Sequence, residues 1–271
     1  MQNTLTLPAK SRIPASSVAL PVEHGAWGFL FEPLLAGLLI APSLAGAALS
    51  VFIIGSFLCR GPLKFVLGDA LNRKKLPRTA VARRWLTYFA IIAAVGFVAS
   101  IAVANMIAFI PAVLSAPIAV YLVFQDASRK SRESVPELLA ALVLGGSITT
   151  VLLAAGFGLP LAFAMWLAMA ARLIPSVIYV RNRLRLEKGK QYSRTIPFAA
   201  HATALAAVAA LYVIGLGSVL TVAVAGLLLV RSTTGLSSYR RRLTAKQTGV
   251  REVIYGIIYA SSLVAGYYLS I

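Results

Sequence analysis

The stretch WLTYFAIIAAVGFVASIAVANMIAFIPAVLSAPIAVYLVF, residues 85–124, runs through forty positions without a charged side chain. A helix of that length would be about 60 Å long at 1.5 Å per residue, roughly twice the ~30 Å hydrocarbon core of a bilayer. The polar break at Ala104-Asn105 divides it into two candidate spans, 85–104 and 106–124. Arg83 and Arg84 precede the pair, and Arg129, Lys130 and Arg132 follow it, whereas the connection between the two spans is uncharged. Such a pair is predicted to enter and leave on the same, basic side of a membrane.

The same alternation extends outward in both directions. Apolar runs at 25–41, 43–59, 138–156, 160–179, 196–213, 215–230 and 253–270 raise the expected number of spans to nine. All 26 Lys and Arg fall in an N-terminal arm (Lys10, Arg12) or in the connections 60–84, 125–137, 172–194 and 231–252, which hold 8, 3, 7 and 6 of them. The alternate connections, Ala41-Pro42-Ser43, Ala104-Asn105, 156–160 and 215–217, are short and uncharged. The positive-inside rule then places the N terminus and the four basic connections in the cytoplasm and Ile271 on the far side. Composition agrees: 59% of residues are hydrophobic and 13% charged, against about 25% charged in soluble domains.

The expected fold is therefore all-α, a polytopic membrane bundle over 23–271 preceded by a flexible cytoplasmic arm over 1–22. That arm lacks the apolar core of a signal peptide. The first two spans are short and share one break, which suits a tight hairpin or a tilted pair. Cys59 is the only cysteine, so no internal disulfide forms, and two histidines are too few for a metal cluster. Neither a Gly-rich nucleotide loop nor a nucleophile elbow is present, which disfavours soluble-enzyme chemistries.

Two basic connections hold more cations than topology requires, and this surplus suggests a phosphate-bearing ligand. In 60–84, apolar residues at helical spacing continue the second span past the membrane, and Asp69, Asn72 and Arg73 then fall on one side of that helix. Pro77 is expected to end the element, with Arg78 at the turn where a guanidinium grips phosphate bidentately. Arg60 and Lys64 precede them, and Arg172, Tyr179 and Arg181 form a second group after the sixth span. The acidic residues discriminate further. His24, beside Glu23 and Trp27, is a candidate base or proton relay. Glu32 lies inside an apolar run, where an ionisable residue is expected to face the bundle interior, protonated or paired with an Arg. A structural role across helices is the other reading of Glu32 and the favoured one for His201. Residues 125–137 are neutral overall, with Asp126, Glu133 and Glu137 against Arg129, Lys130 and Arg132, and are expected to dock on their basic neighbours.

Glu23-His24-Gly25-Ala26-Trp27, Arg60-Gly61-Pro62-Leu63-Lys64, Pro77-Arg78-Thr79-Ala80 with Arg83-Arg84, the run Arg172 to Arg181, and Ala245-Lys246-Gln247 with Arg251-Glu252 resemble the YwiC-like family of bacterial membrane proteins. That resemblance implies a bacterial cytoplasmic membrane and no particular activity. More distantly, nine spans with polar stretches after the second and sixth resemble the UbiA superfamily of intramembrane prenyltransferases, which ionise a prenyl diphosphate held by Mg2+ between two Asp-rich motifs. Gly68 to Lys75 fits the frame of the first motif. Asp69 and Arg73 match it, and Asn72 and Lys75 stand where aspartates would be. The second motif meets Pro175 to Leu186, which holds no carboxylate.

The resemblance implies a UbiA-like bundle binding an anionic amphiphile, an isoprenoid or lipid phosphate, in a cytoplasm-facing cavity. Arg60, Lys64, Asn72, Arg73, Arg78, Arg172, Tyr179 and Arg181 would bind it, His24, Glu32 and Asp69 would carry any catalysis, and Asp69 would bind Mg2+. A carrier for an anionic substrate, coupled through Glu32, is the alternative. Membrane lipids are the expected partners, with no nucleic acid.

Overall fold

The computed structural model describes residues 16–20, 24–73, 76–128, 130 and 133–271, the side chains of Ser16, Ser17 and His24 excepted. Among these residues all regular structure is helical: α1 (Ser16–Ala19), α2 (His24–Ile40), α3 (Leu44–Leu71), α4 (Pro77–Val103), a 3-10 turn (Met106–Phe109) leading into α5 (Ile110–Ala127), α6 (Ser134–Gly145), α7 (Ser147–Ala154), α8 (Leu159–Glu187), α9 (Thr195–Val213), α10 (Val219–Gly235) and α11 (Ala245–Leu269). Seven segments are long and apolar enough to cross a membrane: α3, α4, the turn with α5, α6 with α7, α8, α9 and α11. Two shorter apolar helices, Gly25–Ile40 within α2 and Val219–Gly235, accompany them. The protein is a multi-pass helical membrane protein.

Local chemistry sets the helix ends. Ser43 caps α3 by accepting from the Gly46 N–H at 3.0 Å, and Ser218 caps α10. Thr244 and Gln247 form a reciprocal capping box at the start of α11, satisfying two N–H groups that a helix leaves orphaned. Pro77 stands at the start of α4, where its missing N–H costs nothing. It therefore opens an element instead of ending one. α3 stops at Leu71, six residues earlier, and Arg73 takes a left-handed φ of 51° in the turn. Gly156 and Gly215, at φ of 88° and 76°, turn the chain where the uncharged connections reverse it.

α6 with α7 and α8 are the most enclosed spans, and α4 and the α5 segment are the most peripheral. The largest core cluster joins Leu49 of α3, Ile148 and Leu152 of α7, Met165 and Met169 of α8, and Tyr259 of α11. The fully buried Tyr259 hydroxyl donates to the Ala168 carbonyl at 2.8 Å. Within the expected arm, Val18 and Ala19 of α1 are buried, and α1 packs on α3 and α4. Lys10, Arg12, Glu23, Lys74, Lys75, Arg129 and Arg132 lie outside the described residues.

α2 and α3 do not pair as a hairpin. α2 runs mainly against α11 and α7, and α3 runs along α4. The reason lies in small residues, since lipid tails are as apolar as leucine and give no hydrophobic drive between helices, so close approach decides partners. A Cβ added at Gly96 of α4 would collide with the Phe52 backbone of α3, and one at Gly55 of α3 would sit 2.5 Å from the Ala93 nitrogen of α4. α2 instead offers Gly37 to Val151 of α7.

Gly96→Val is thus expected to destabilise the protein by roughly 1–3 kcal/mol through overpacking. Gly226→Ala, where an added Cβ meets nothing within 4 Å, should be neutral or slightly stabilising. Thermal unfolding of both variants in one detergent checks the contrast, and equal melting temperatures would contradict the close crossing.

Candidate functional site

The apolar cores of α2, α8, α9, α10 and α11 each contribute polar side chains to one buried cluster. Arg172 sits near the middle of α8, fully buried, instead of leaving its span as expected. Its guanidinium lies 3.6 Å from a Glu32 oxygen of α2 and 3.7 Å from a Glu252 oxygen of α11. It also donates to the Ser176 hydroxyl one turn on, and to the Glu252 carbonyl at 2.8 Å. Glu252 pairs in turn with Arg231 of α10. His201 of α9 completes the chain, with Nδ1 donating to the Pro197 carbonyl at 2.8 Å and Nε2 accepting from Arg231 at 3.3 Å. Arg231 also lies over the rings of Tyr179 and Tyr255, 4.2 and 5.0 Å from their centroids, a cation–π arrangement that gains strength away from water.

Two arginines against two glutamates leave this cluster formally neutral, which is how charge is tolerated in a low-dielectric interior. Glycine makes room for it. A Cβ at Gly256 of α11 would overlap the Glu32 carboxylate, and one at Gly28 of α2 would stand 3.1 Å from it. Satisfaction is nevertheless incomplete, because Glu32 Oε2, Glu252 Oε2 and the Nε atoms of Arg172 and Arg231 are buried without a hydrogen-bond partner.

Of the other expected site residues, Tyr179 joins this cluster through Arg231, Asp69 and Arg78 pair with each other away from it, and the remainder lie apart. Asp69, buried in α3, accepts from Arg78 at 2.7 Å and from the Thr79 hydroxyl at 2.6 Å. That pairing ties the end of α3 to the start of α4. Asn72 and Arg73 lie in the exposed turn beyond α3, and the Asn72 side chain returns to the Gly68 carbonyl at 2.7 Å, so the three do not share a face. Lys64 is exposed and sits over the Phe65 ring. Arg60 pairs with Asp126, and Arg181 with Glu137. The neutral connection therefore docks on its basic neighbours at both ends. His24 opens α2, and its side chain lies outside the described residues.

Mg2+ fits this donor set poorly. Asp69 already accepts hydrogen bonds on both oxygens, and no three His, Cys, Asp or Glu side chains among the described residues converge on a metal site. Mg2+ needs several oxygen ligands in octahedral array.

Two cavities among the described residues bear on ligand binding. One, of about 370 Å³, is an apolar groove among α3, α5, α6 and α7, lined by residues such as Phe52, Phe57, Ala116, Leu122 and Val143, with Arg60 the charged residue among those lining it. Ala116 and Ala119 of α5 are exposed, so the groove opens sideways. The other, of about 230 Å³, lies among α8, α10 and α11 and has Tyr179, Arg231 and Glu252 in its wall. Sequence reasoning missed Arg231 and Glu252 as buried partners. The available signal was their position within helical apolar runs, since Val219 to Val230 leads directly into Arg231.

Glu252→Ala, which removes the carboxylate beside Arg231, is expected to cost about 3–5 kcal/mol. The double variant Arg231→Met/Glu252→Leu should recover most of that loss, because it leaves Arg172 and Glu32 balanced. Thermal unfolding in detergent reads both, and a single variant as stable as the parent would exclude the buried ion pair.

Comparison with known proteins places part of this bundle. No curated protein and no solved structure matches the chain. Residues 20–152, from ahead of α2 into α7 and somewhat under half of the chain, match the family model described as YwiC-like protein, the family that the motifs in this half resemble.

Proposed function

We propose that the chain is a nine-span protein of the bacterial cytoplasmic membrane, UbiA-like in architecture, that binds an anionic amphiphile through the apolar groove. In this reading α2 and α10 also cross, the basic end and the N terminus face the cytoplasm, and the C terminus faces outward. The supporting observation is the groove itself, exposed at Ala116 and Ala119 and with Arg60 the charged residue in its lining. Membrane lipid surrounds it, so burying a chain there gains little over leaving the chain in lipid. Shape selects the chain, and affinity has to come from the head. A phosphate beside Arg60 adds charge-assisted hydrogen bonds to a guanidinium already oriented by Asp126. The ligand is an isoprenoid or lipid phosphate, bound without metal-assisted ionisation, because no three metal-binding side chains gather among the described residues.

Native mass spectrometry of gently extracted protein tests this. The wild type is expected to retain one defined phosphate-bearing lipid. Ala116→Trp, which fills the groove, should lose it, and Arg60→Lys, which keeps the charge and removes the fork, should retain less. A lipid indifferent to both substitutions would refute the groove as its site.

A carrier coupling ion movement to an anionic substrate is the second reading, favoured by Glu32, whose Oε2 is buried mid-helix without a hydrogen-bond partner. In proteoliposomes with an entrapped pH dye, faster decay of an imposed gradient for wild type than for Glu32→Gln would support the carrier. Equal rates would leave the binding reading in front.

A further inference from the structure

The cavity among α8, α10 and α11 shares no lining residue with the groove, and its chemistry is the opposite. Five arginines, Arg183, Arg231, Arg240, Arg241 and Arg251, line about 230 Å³ against a single glutamate, Glu252. Two of these cations are committed to the protein. Arg231 is paired with Glu252, and the fully buried Arg183 pairs with Glu187 at 2.7 Å while donating to the Gly235 and Arg241 carbonyls. Arg240 shares Glu187 with Arg183 as a longer ion pair at 3.7 Å, beyond hydrogen-bond reach. Arg241 and Arg251 are exposed and form no ion pair with a described residue. Arg183, Arg231 and Arg240 each also keep a buried Nε with no hydrogen-bond partner.

The wall is built, not loose. Arg183 and Glu187 of α8 hold the segment between α10 and α11, through the Arg241 carbonyl and the Leu243 N–H at 3.4 Å. Tyr179 packs so closely on Gly235 that a Cβ there would overlap its hydroxyl. Guanidinium groups held around one opening attract an anion strongly, and phosphate oxygens match their paired N–H donors bidentately while carrying enough charge to engage several of them at once. A cluster that needed only to mark topology would leave its cations dispersed in water, and here they share one concavity.

We infer that this cavity is an anion site for a phosphorylated group, of the phosphomonoester or diphosphate class, distinct from the groove and independent of its occupant. Arg241 and Arg251 reach the ligand from the rim, and Arg183 and Arg231 supply the floor. The group arrives either on a lipid headgroup or on a soluble compound, and the recognition chemistry is the same.

Inorganic pyrophosphate is the probe, titrated calorimetrically into the full-length chain in phosphatidylcholine nanodiscs at physiological ionic strength. Wild type is expected to bind it. Arg241→Gln/Arg251→Gln, which changes only exposed side chains, should weaken binding by about tenfold or more. Arg83→Gln/Arg84→Gln, an equal loss of charge at exposed positions outside the cavity, should change it by less than about twofold, because exposed distant charges are screened. No binding by wild type, or equal weakening in both double variants, would overturn the inference. Phosphatidic acid added to the nanodiscs separates the sources: competition identifies a headgroup, and an unchanged titration identifies a soluble phosphate. Ala116→Trp should leave the titration untouched, so failure of the groove reading and failure of this one are distinguishable.

Discussion

The rest of the bundle depends on keeping the Arg172 charge inside it. A guanidinium midway along α8 has no route to water, so its compensation has to come from other helices, and Glu32 and Glu252 supply it from α2 and α11. This explains the order of packing. α2 leaves its sequence neighbour α3 and runs against α11, where Gly256 and Gly28 clear space for the Glu32 carboxylate. Glu252 then requires Arg231, and Arg231 brings α9 and α10 into register through His201. In a membrane, where apolar contact alone does not choose partners, a polar constraint of this kind can select one arrangement among many.

The periphery follows a different logic. α3 and α4 are long, apolar and held by glycine at their crossing, and their basic ends are tied by Asp69 with Arg78 and Thr79. Asp126 and Glu137 fasten the connection before α6 to Arg60 and Arg181. The carboxylates of Asp69, Asp126 and Glu137 thus serve to join helices. The two cavities lie on opposite sides of this division, one apolar beside α3 and α5 and one cationic beside α10 and α11.

Much of the fold was legible in the chain. Apolar run length located most of the long helices to within a few residues at their uncharged ends, because a bilayer demands an unbroken apolar stretch, whereas the run 138–156 read as one span and is broken at Gly146 into α6 and α7. The basic ends were less legible. α3 and α8 continue well past their apolar segments, to Leu71 and Glu187, and so residues that read as connections, Arg172 above all, lie inside helices. Pro77 read as a stop and serves as a start, since proline is compatible with either until the neighbouring helix is placed. For the site, Glu32 was legible as an inward residue because an ionisable group in an apolar run has few other options. Its partner was not, because any of several arginines satisfied the same charge requirement.

Composition and charge segregation by themselves determined that this is a multi-pass helical membrane protein, where its helices lie, and which end is basic. Those properties depend on transfer of local segments between water and lipid, which each segment decides for itself. Which helices touch, which arginine meets which carboxylate, and which cations gather around one cavity were decided only by the tertiary structure. Such choices depend on distances between residues as far apart as 32 and 256, and no local property of the chain encodes them.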